Sequence, residues 1–268
     1  GAVTVAWIKI ETISEIVVPS LEKPEEPDRN GANRTSVNSG GLEFEHYGGT
    51  WGNFALKVDS VEMAAGYQSE LFGLVFDDQY EWLNLKNANF TSDDPSTSRI
   101  TFKDSKAGTW EIRRNIKPAE QPGTLIVEIE LKADKDRDII HIPWLTIFPG
   151  LGTFGERKDQ GLFAGLEYLC DEPSSSEADI ATPDHVRRMP DPIKITFPLM
   201  VIARGGNYIG VIWEPSEAVA ATFDSPDRIY NSGAHVMALS GPGVGDLRFE
   251  NAFCAQAPLR LHANQPLK

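Results

Sequence analysis

The stretch Gly161-Leu162-Phe163-Ala164-Gly165-Leu166-Glu167-Tyr168-Leu169-Cys170-Asp171-Glu172-Pro173-Ser174-Ser175-Ser176 concentrates more reactive side-chain types than any other part of the chain. A strand-like run ends there in a loop of acids and hydroxyls. Period-two alternation puts Glu167 on the face of Phe163 and Leu169, so its carboxylate is expected to be part-buried and to need a partner. Arg187, Arg188 and Lys194 follow closely enough to supply a cation. Glu167, Tyr168, Arg187, Lys194 and Trp213 are therefore candidate ligand-binding residues of a sugar pocket. Carboxylate, phenol and cations would exchange hydrogen bonds with hydroxyls, and the indole would stack on a sugar face. The plainer alternative is an internal ion pair under a solvated loop. Asp171, Glu172 and Asp179 could hold calcium, but EF-hand spacing is absent and no metal is assigned.

Four other groups invite a role. In Thr109 to Ile116, Trp110, Ile112, Arg114 and Ile116 share one face, so Arg114 lies among apolar neighbours and calls for a carboxylate, bracing two sheets rather than clamping a ligand. Among the tryptophans, Trp51, Trp82 and Trp144 are read mainly as core and Trp213, just before Glu214-Pro215, as a rim residue. His141 is expected to be hydrogen-bonded between sheets. A glycosidase needs two carboxylates flanking the scissile bond, but 39 acidic residues allow any pair to be proposed, and no catalytic residue is assigned. Nucleophile elbows, phosphate loops, dinucleotide fingerprints and zinc-binding His pairs are absent, so no cofactor is expected.

The elements that must position these residues are strands. From Leu42 onward, short apolar runs rich in β-branched and aromatic residues alternate with Gly, Pro, Asn and Asp clusters. Thr124 to Lys132 places Leu125, Val127, Ile129 and Leu131 on one face and Glu128, Glu130 and Lys132 on the other. Asp138 to Phe148, Leu162 to Leu169 and Ile193 to Ile202 are apolar on both faces and predict central strands covered on both sides. Helix starts occur only at Thr182-Pro183-Asp184 and Ser216-Glu217, each good for a turn or two. The predicted fold is all-β: a large two-layer antiparallel β-sandwich with short helical turns, one domain over residues 1–268. Pro19 to Gly41 reads as a long exposed, flexible loop after an N-terminal strand pair.

A net charge of −14 with scattered Lys and Arg disfavours nucleic acid and anionic membrane surfaces, and no apolar run is long enough to span a bilayer. No signal peptide opens this chain, which does not exclude secretion, and secreted or periplasmic placement is favoured for a bacterial protein. Cys170 and Cys254 are expected to be buried free thiols, with one disulfide as the alternative. The sequons at Asn33-Arg34-Thr35 and Asn89-Phe90-Thr91 are too short to carry weight.

Several segments together resemble the galactose-mutarotase-like supersandwich, and most closely the large bacterial, glycoside-hydrolase-like proteins that contain it. They are Arg99-Ile100-Thr101-Phe102, Trp110-Glu111-Ile112-Arg113-Arg114, Leu125 to Leu131, Gly165 to Ser176, Pro190-Asp191-Pro192-Ile193-Lys194-Ile195-Thr196, Pro198-Leu199-Met200 and Gly210-Val211-Ile212-Trp213-Glu214-Pro215. The likeness runs from Leu42 to the C-terminus. It implies a sandwich of the kind found in sugar epimerases, in polysaccharide lyases and as a non-catalytic N-terminal domain of glycoside hydrolases. Such a domain is often followed by a helical toroid, and a chain ending at Lys268 looks like an isolated domain of a longer protein. The His and Glu pair of the epimerases has no matching context here, because His141 is followed by Ile142-Pro143-Trp144.

The leading expectation is a non-catalytic carbohydrate-binding or scaffolding sandwich of a multidomain glycan-processing protein, with an oligo- or polysaccharide and an adjacent helical catalytic domain as partners. The alternatives are an aldose epimerase or glycosidase with an unidentified acid/base pair, and a purely structural interaction domain, which needs a large exposed apolar patch.

Overall fold

A computed structural model describes residues 16–31, 34–92, 94–174 and 189–268. The described chain is all-β in class, as the periodicity predicts, with 47% of it in strands and 3% helical, and no helix in it is long and apolar enough to cross a membrane. The strands are β1 (Thr35–Ser39), β2 (Leu42–His46), β3 (Phe54–Val58), β4 (Val61–Gly66), β5 (Leu71–Phe76), β6 (Gln79–Asn84), β7 (Asn89–Ser92), β8 (Thr97–Lys103) and β9 (Thr109–Pro118). They continue as β10 (Leu125–Ala133), β11 (Arg137–Pro149), β12 (Gln160–Phe163), β13 (Glu167–Leu169), β14 (Leu199–Arg204), β15 (Asn207–Ile212), β16 (Ala220–Asp224), β17 (Val236–Gly241) and β18 (Leu259–Leu261).

One layer is a ten-stranded antiparallel sheet with the path β1-β2-β3-β4-β11-β17-β16. Long β11 is its spine: residues Ile142 to Pro149 pair with β4 and β17, while Arg137 to His141 pair with β5 and β18. Register shifts near Ile139 and Pro143 bend the strand so that it serves both halves. The opposing layer is two four-stranded sheets, β10-β9-β8-β7 and β13-β12-β14-β15.

Side-chain parity explains the core. Phe44, Phe54, Met63 and Ile147 from the large sheet meet Phe163, Met200, Ile202, Ile209 and Val211 from the β12–β15 sheet. Phe72, Leu74 and Ile139 meet Ile100, Trp110, Ile112 and Leu131 from the β7–β10 sheet. In β9, Trp110, Ile112, Arg114 and Ile116 are buried while Arg113 is exposed, and in β10 Leu131 is buried between exposed or half-exposed acids and lysine. The far face of the large sheet carries Ala65, Tyr67, Phe148, Val236 and Ala238.

Several expectations need correction. Leu162 to Leu169 is not one strand: the chain turns at Gly165, whose φ of +95° and 2.6 Å approach of a virtual Cβ to the Lys194 carbonyl admit only glycine, and returns as the β12–β13 hairpin. Ile193 to Ile202 begins as a 3-10 turn (Pro192–Lys194) capped by the Asp191 side chain, with strand structure only from Leu199. Within Pro19 to Gly41, Thr35–Ser39 is β1, and the stretch before it is an extended strap. Glu22 of that strap accepts from the Tyr67 and Ser69 hydroxyls, Asn53 and Asp28 exchange two hydrogen bonds, and Arg29 meets Glu62. The strand pair expected in the first residues and the helix start at Thr182 lie outside the described residues. Ser216 starts a single turn, closed by Val219 N–H to the Ser216 carbonyl. Both cysteines are free, but only Cys254 is buried; Cys170, just past β13, is exposed.

Arg114 is buried at the junction of the two core clusters without the carboxylate expected for it. Its guanidinium lies 4.2 Å from the Trp51 ring centroid and 5.0 and 5.1 Å from Phe44 and Phe54. One Nη donates to the Trp51 carbonyl at 3.2 Å, and Nε has no hydrogen-bond partner. Three π faces substitute for an anion.

Candidate functional site

The residues singled out in the sequence do not converge. Glu167 and Tyr168 are neighbours in a strand and point through opposite faces: Glu167 is buried facing Phe163 and the core, and Tyr168 is exposed on the outside. The Tyr168 hydroxyl accepts the Gly165 N–H at 3.0 Å. Buried Lys158 lies on the Glu167 side with its stem under Gly161. Burial pulls its ammonium below the usual lysine range, while Glu172, Asp171 and Glu167 oppose that. Lys194 is held by Glu250 at 2.8 and 3.0 Å rather than by Glu167. Trp213 packs its edge on Phe163 with centroids 6.3 Å apart, as part of the core margin. Arg187, with Arg188 and Asp179, lies outside the described residues. Of the five residues, Tyr168 lies on the opposite face of the sheet from Glu167, and Lys194 is engaged by Glu250. Among the described residues no three His, Cys, Asp or Glu side chains are grouped to hold a metal.

A different place has the geometry of a binding site. A groove of about 530 Å³ runs between β6 with its following 3-10 turn (Leu85–Asn87) and the β7–β8–β9 ladder. Its polar lining comes from Asn84, Asn87, Asn89, Thr101, Lys103 and Thr109, and its apolar lining includes Trp82, Leu83 and Phe102. Strand parity places the polar groups. Asn89 pairs across to Thr101, and Lys103 to Thr109, so their side chains share one face of the ladder, while Ile100 and Trp110 point inward. Among the described residues, strand β6 hydrogen-bonds only to β5, on one of its two edges.

Both walls are braced from behind. Glu81 on β6 accepts the Ser105 N–H at 2.9 and 3.2 Å and the Ser105 hydroxyl at 2.9 Å, tying β6 to the β8–β9 turn. That turn is organised by buried Asp104, which accepts from the Lys106 and Gly108 N–H groups, from the Trp110 indole at 3.0 Å, and from Arg137 at 2.5 and 3.1 Å. Burial alone would raise the Asp104 carboxyl, but these donors, led by Arg137, hold it below the usual range. Asn84 caps the 3-10 turn by accepting Lys86 N–H through Oδ1, which leaves its amide nitrogen to donate to Glu22 at 3.3 Å. Trp82 donates to the Val17 carbonyl at 3.1 Å. The strap thus holds two groove residues from outside.

Among the described residues, the groove lining contains amides, hydroxyls, an indole, a phenyl and one cation, and no carboxylate or imidazole. Such a set can bind a hydroxyl-rich ligand. The catalytic-looking contact elsewhere is Ser225 Oγ to His235 Nδ1 at 2.9 Å, but both side chains are fully buried, and burial pushes the imidazole down to about 4. It ties the end of β16 to the loop before β17, and Ser174 bonds to the same point. The local sequence contains no signal for the groove beyond the Asn-rich run Asn84 to Asn89, whose partners on β8 arrive through the tertiary fold.

No family model matches the chain, and no curated protein matches it.

Proposed function

We propose that the chain is a carbohydrate-binding β-sandwich, of the galactose-mutarotase-like kind, belonging to a multidomain glycan-processing protein, and that it holds a hydroxyl-rich glycan segment in the groove between β6 and β7–β9. The reading rests on one observation: the amide side chain of Asn89 and the hydroxyls of Thr101 and Thr109 share one ladder face along a groove whose lining also includes Trp82 and, from the opposite ladder face, Phe102. Sugars require this mixture. Their hydroxyls take bidentate hydrogen bonds from neutral amides and main chain, while their C–H faces lie against aromatic rings.

Binding rather than turnover fits a lining without carboxylates, and neutral groups suit a ligand that a chain of net charge −14 does not repel. The test is calorimetry and glycan-array screening of the whole chain with neutral and uronate-bearing oligosaccharides. Binding that falls at least tenfold in both Asn89→Ala and Thr101→Val, and is unchanged in Tyr168→Ala, supports the groove. A ligand lost in Tyr168→Ala but kept in the groove variants, or no glycan bound at millimolar concentration, overturns it.

A further inference from the structure

The strap before β1 has a periodicity of its own, neither that of a strand nor that of an α-helix. Val18 and Leu21 are half-buried, Pro24 and Pro27 are buried, and every residue between these four is exposed. A repeat of three is that of a polyproline-II segment, which makes no internal hydrogen bonds and leaves its carbonyls to be satisfied from outside. Side chains of the sandwich supply the donors. The Trp82 indole donates to the Val17 carbonyl at 3.1 Å, the Tyr67 hydroxyl to the Glu22 carbonyl at 2.7 Å, and the Asn53 amide to the Asp28 carbonyl at 3.0 Å. Tyr67 in turn packs edge-on against Tyr230 and Phe148, with centroids 5.1 and 5.6 Å away. Proline-bearing peptides dock in aromatic-lined clefts in this mode. Here the cleft and its peptide belong to one chain.

We propose that the strap is a clamp whose docking is thermodynamically linked to occupancy of the groove beside β6, with Glu22 as the positioning residue that carries the linkage. The inference rests on the groove being the glycan site. Three strap contacts reach the groove wall: Val17 to Trp82, Glu22 to Asn84, and Glu25 to Lys86 of the 3-10 turn at 3.8 Å. The other end of the strap is fixed away from the groove, where Asp28 and Asn53 exchange two hydrogen bonds and Arg29 meets Glu62 at 2.7 Å.

Glu22 stands between these ends. One of its carboxylate oxygens accepts the Ser69 hydroxyl at 2.5 Å just before β5, and the other accepts the Asn84 amide at 3.3 Å at the end of β6. The Asn84 side chain is thereby held at both ends, because its Oδ1 also accepts the Lys86 N–H and so caps the 3-10 turn. That turn leads directly into Asn87 and Asn89 of the groove lining. A wall fixed in advance costs a ligand less ordering on binding. The linkage is therefore positive: a ligand that needs Asn87 and Asn89 in place tightens the strap, and a released strap weakens the ligand by the same factor. The strap joins no sheet, so its release belongs to the low-stability end of the fold and leaves the strands intact.

Two measurements on the full chain test this, with and without a saturating oligosaccharide found by the glycan screen. Native-state cleavage between Glu25 and Glu26 by a Glu-specific endoprotease reads strap release, because cleavage follows the open population. Hydrogen exchange in β6 reads the wall. Glu22→Ala, a change outside the groove lining, is expected to speed both about tenfold, to leave exchange in β12–β15 unchanged, and to weaken the oligosaccharide about tenfold. Glu22→Gln, which keeps an acceptor oxygen, should fall between the two. In the parent the bound oligosaccharide should slow cleavage of the strap, a response that a merely structural strap would not give. Cleavage indifferent to a saturating ligand, or a Glu22→Ala chain with a loosened strap and undiminished affinity, overturns the linkage and leaves the groove standing as a binding site. A screen that finds no oligosaccharide overturns the groove reading, and the linkage with it.

Discussion

The carboxylate of Glu81 grips Ser105 three times, twice at its backbone N–H and once at its hydroxyl, across 24 residues of sequence and between two sheets. Among the described residues, β6 and the β8–β9 hairpin share no main-chain hydrogen bond, so this contact sets the spacing of the groove walls. Glu81→Ala is expected to lower stability by about 1–2 kcal/mol, the effect of losing hydrogen bonds to a charged acceptor near the surface. It should weaken glycan binding by at least as large a factor, with faster hydrogen exchange at Ser105 and unchanged exchange in β12–β15. Equal protection of Ser105 in variant and parent would remove the bracing role.

Gly73 on β5 lies beside Trp82 on β6, and a Cβ at Gly73 would stand 2.8 Å from the Trp82 ring and 3.0 Å from the Ile140 side chain. Gly73→Ala must displace the indole at the groove wall. The expected outcome is a loss of about 1–3 kcal/mol from overpacking, with a shift of Trp82 fluorescence in a variant that retains only that tryptophan. A fully tolerated alanine with unaltered emission would show that the indole is not wedged.

Glu70 is buried with only the Thr146 hydroxyl as a side-chain partner, and burial pushes its carboxyl up to about 8. The native state keeps a proton that the unfolded chain releases above its ordinary value of 4.5, so Glu70's contribution is full below that value and is lost as pH rises towards 8. Burial pushes His46 down to about 3 and His235 to about 4. The unfolded chain protonates these two below their ordinary 6.5 while the native state does not, so acidification below that value is destabilising. Urea midpoints should therefore peak between about pH 6 and 7. Glu70→Gln should flatten the alkaline limb alone; an unchanged fall from pH 6 to 8 in that variant would assign the limb to another group.

Arg114 is a buried cation facing aromatic rings and one carbonyl, and burial lowers it to about 9. Replacement by an unbranched apolar side chain removes the desolvation penalty and keeps most of the volume. Arg114→Met is expected to fold with stability within about 1.5 kcal/mol of the parent, whereas Arg114→Ala, which opens a cavity, should lose about 2–5 kcal/mol. Denaturant melts of the two variants decide it: a Met variant as damaged as the Ala variant would mean that the cation itself holds Phe44, Trp51 and Phe54 together.

Local pattern carried much of the architecture. Alternation in Thr109 to Ile116 places Arg114 inside and Arg113 outside before any coordinates are seen, and the same rule separates Leu131 from Lys132. Applied to Glu167 and Tyr168, that rule already forbids both side chains from lining one wall of a pocket. The turn at Gly165 was hidden because an apolar run of eight residues reads alike as one strand or as a tight hairpin. Glycine's positive φ becomes visible only when the Lys194 carbonyl is seen pressed against it.

By itself the sequence determined an antiparallel, all-β chain, the inward and outward faces of its longer strands, and an acidic surface, because those follow from side-chain period and charge. Tertiary structure decided which strands became neighbours. Glu81 meets Ser105 because strands from two sheets were brought together, and Arg114 exchanged an expected carboxylate for three rings for the same reason. A period of two tells each side chain which way to face. What stands opposite is set by the packing free energy of the whole sandwich, which no local window contains.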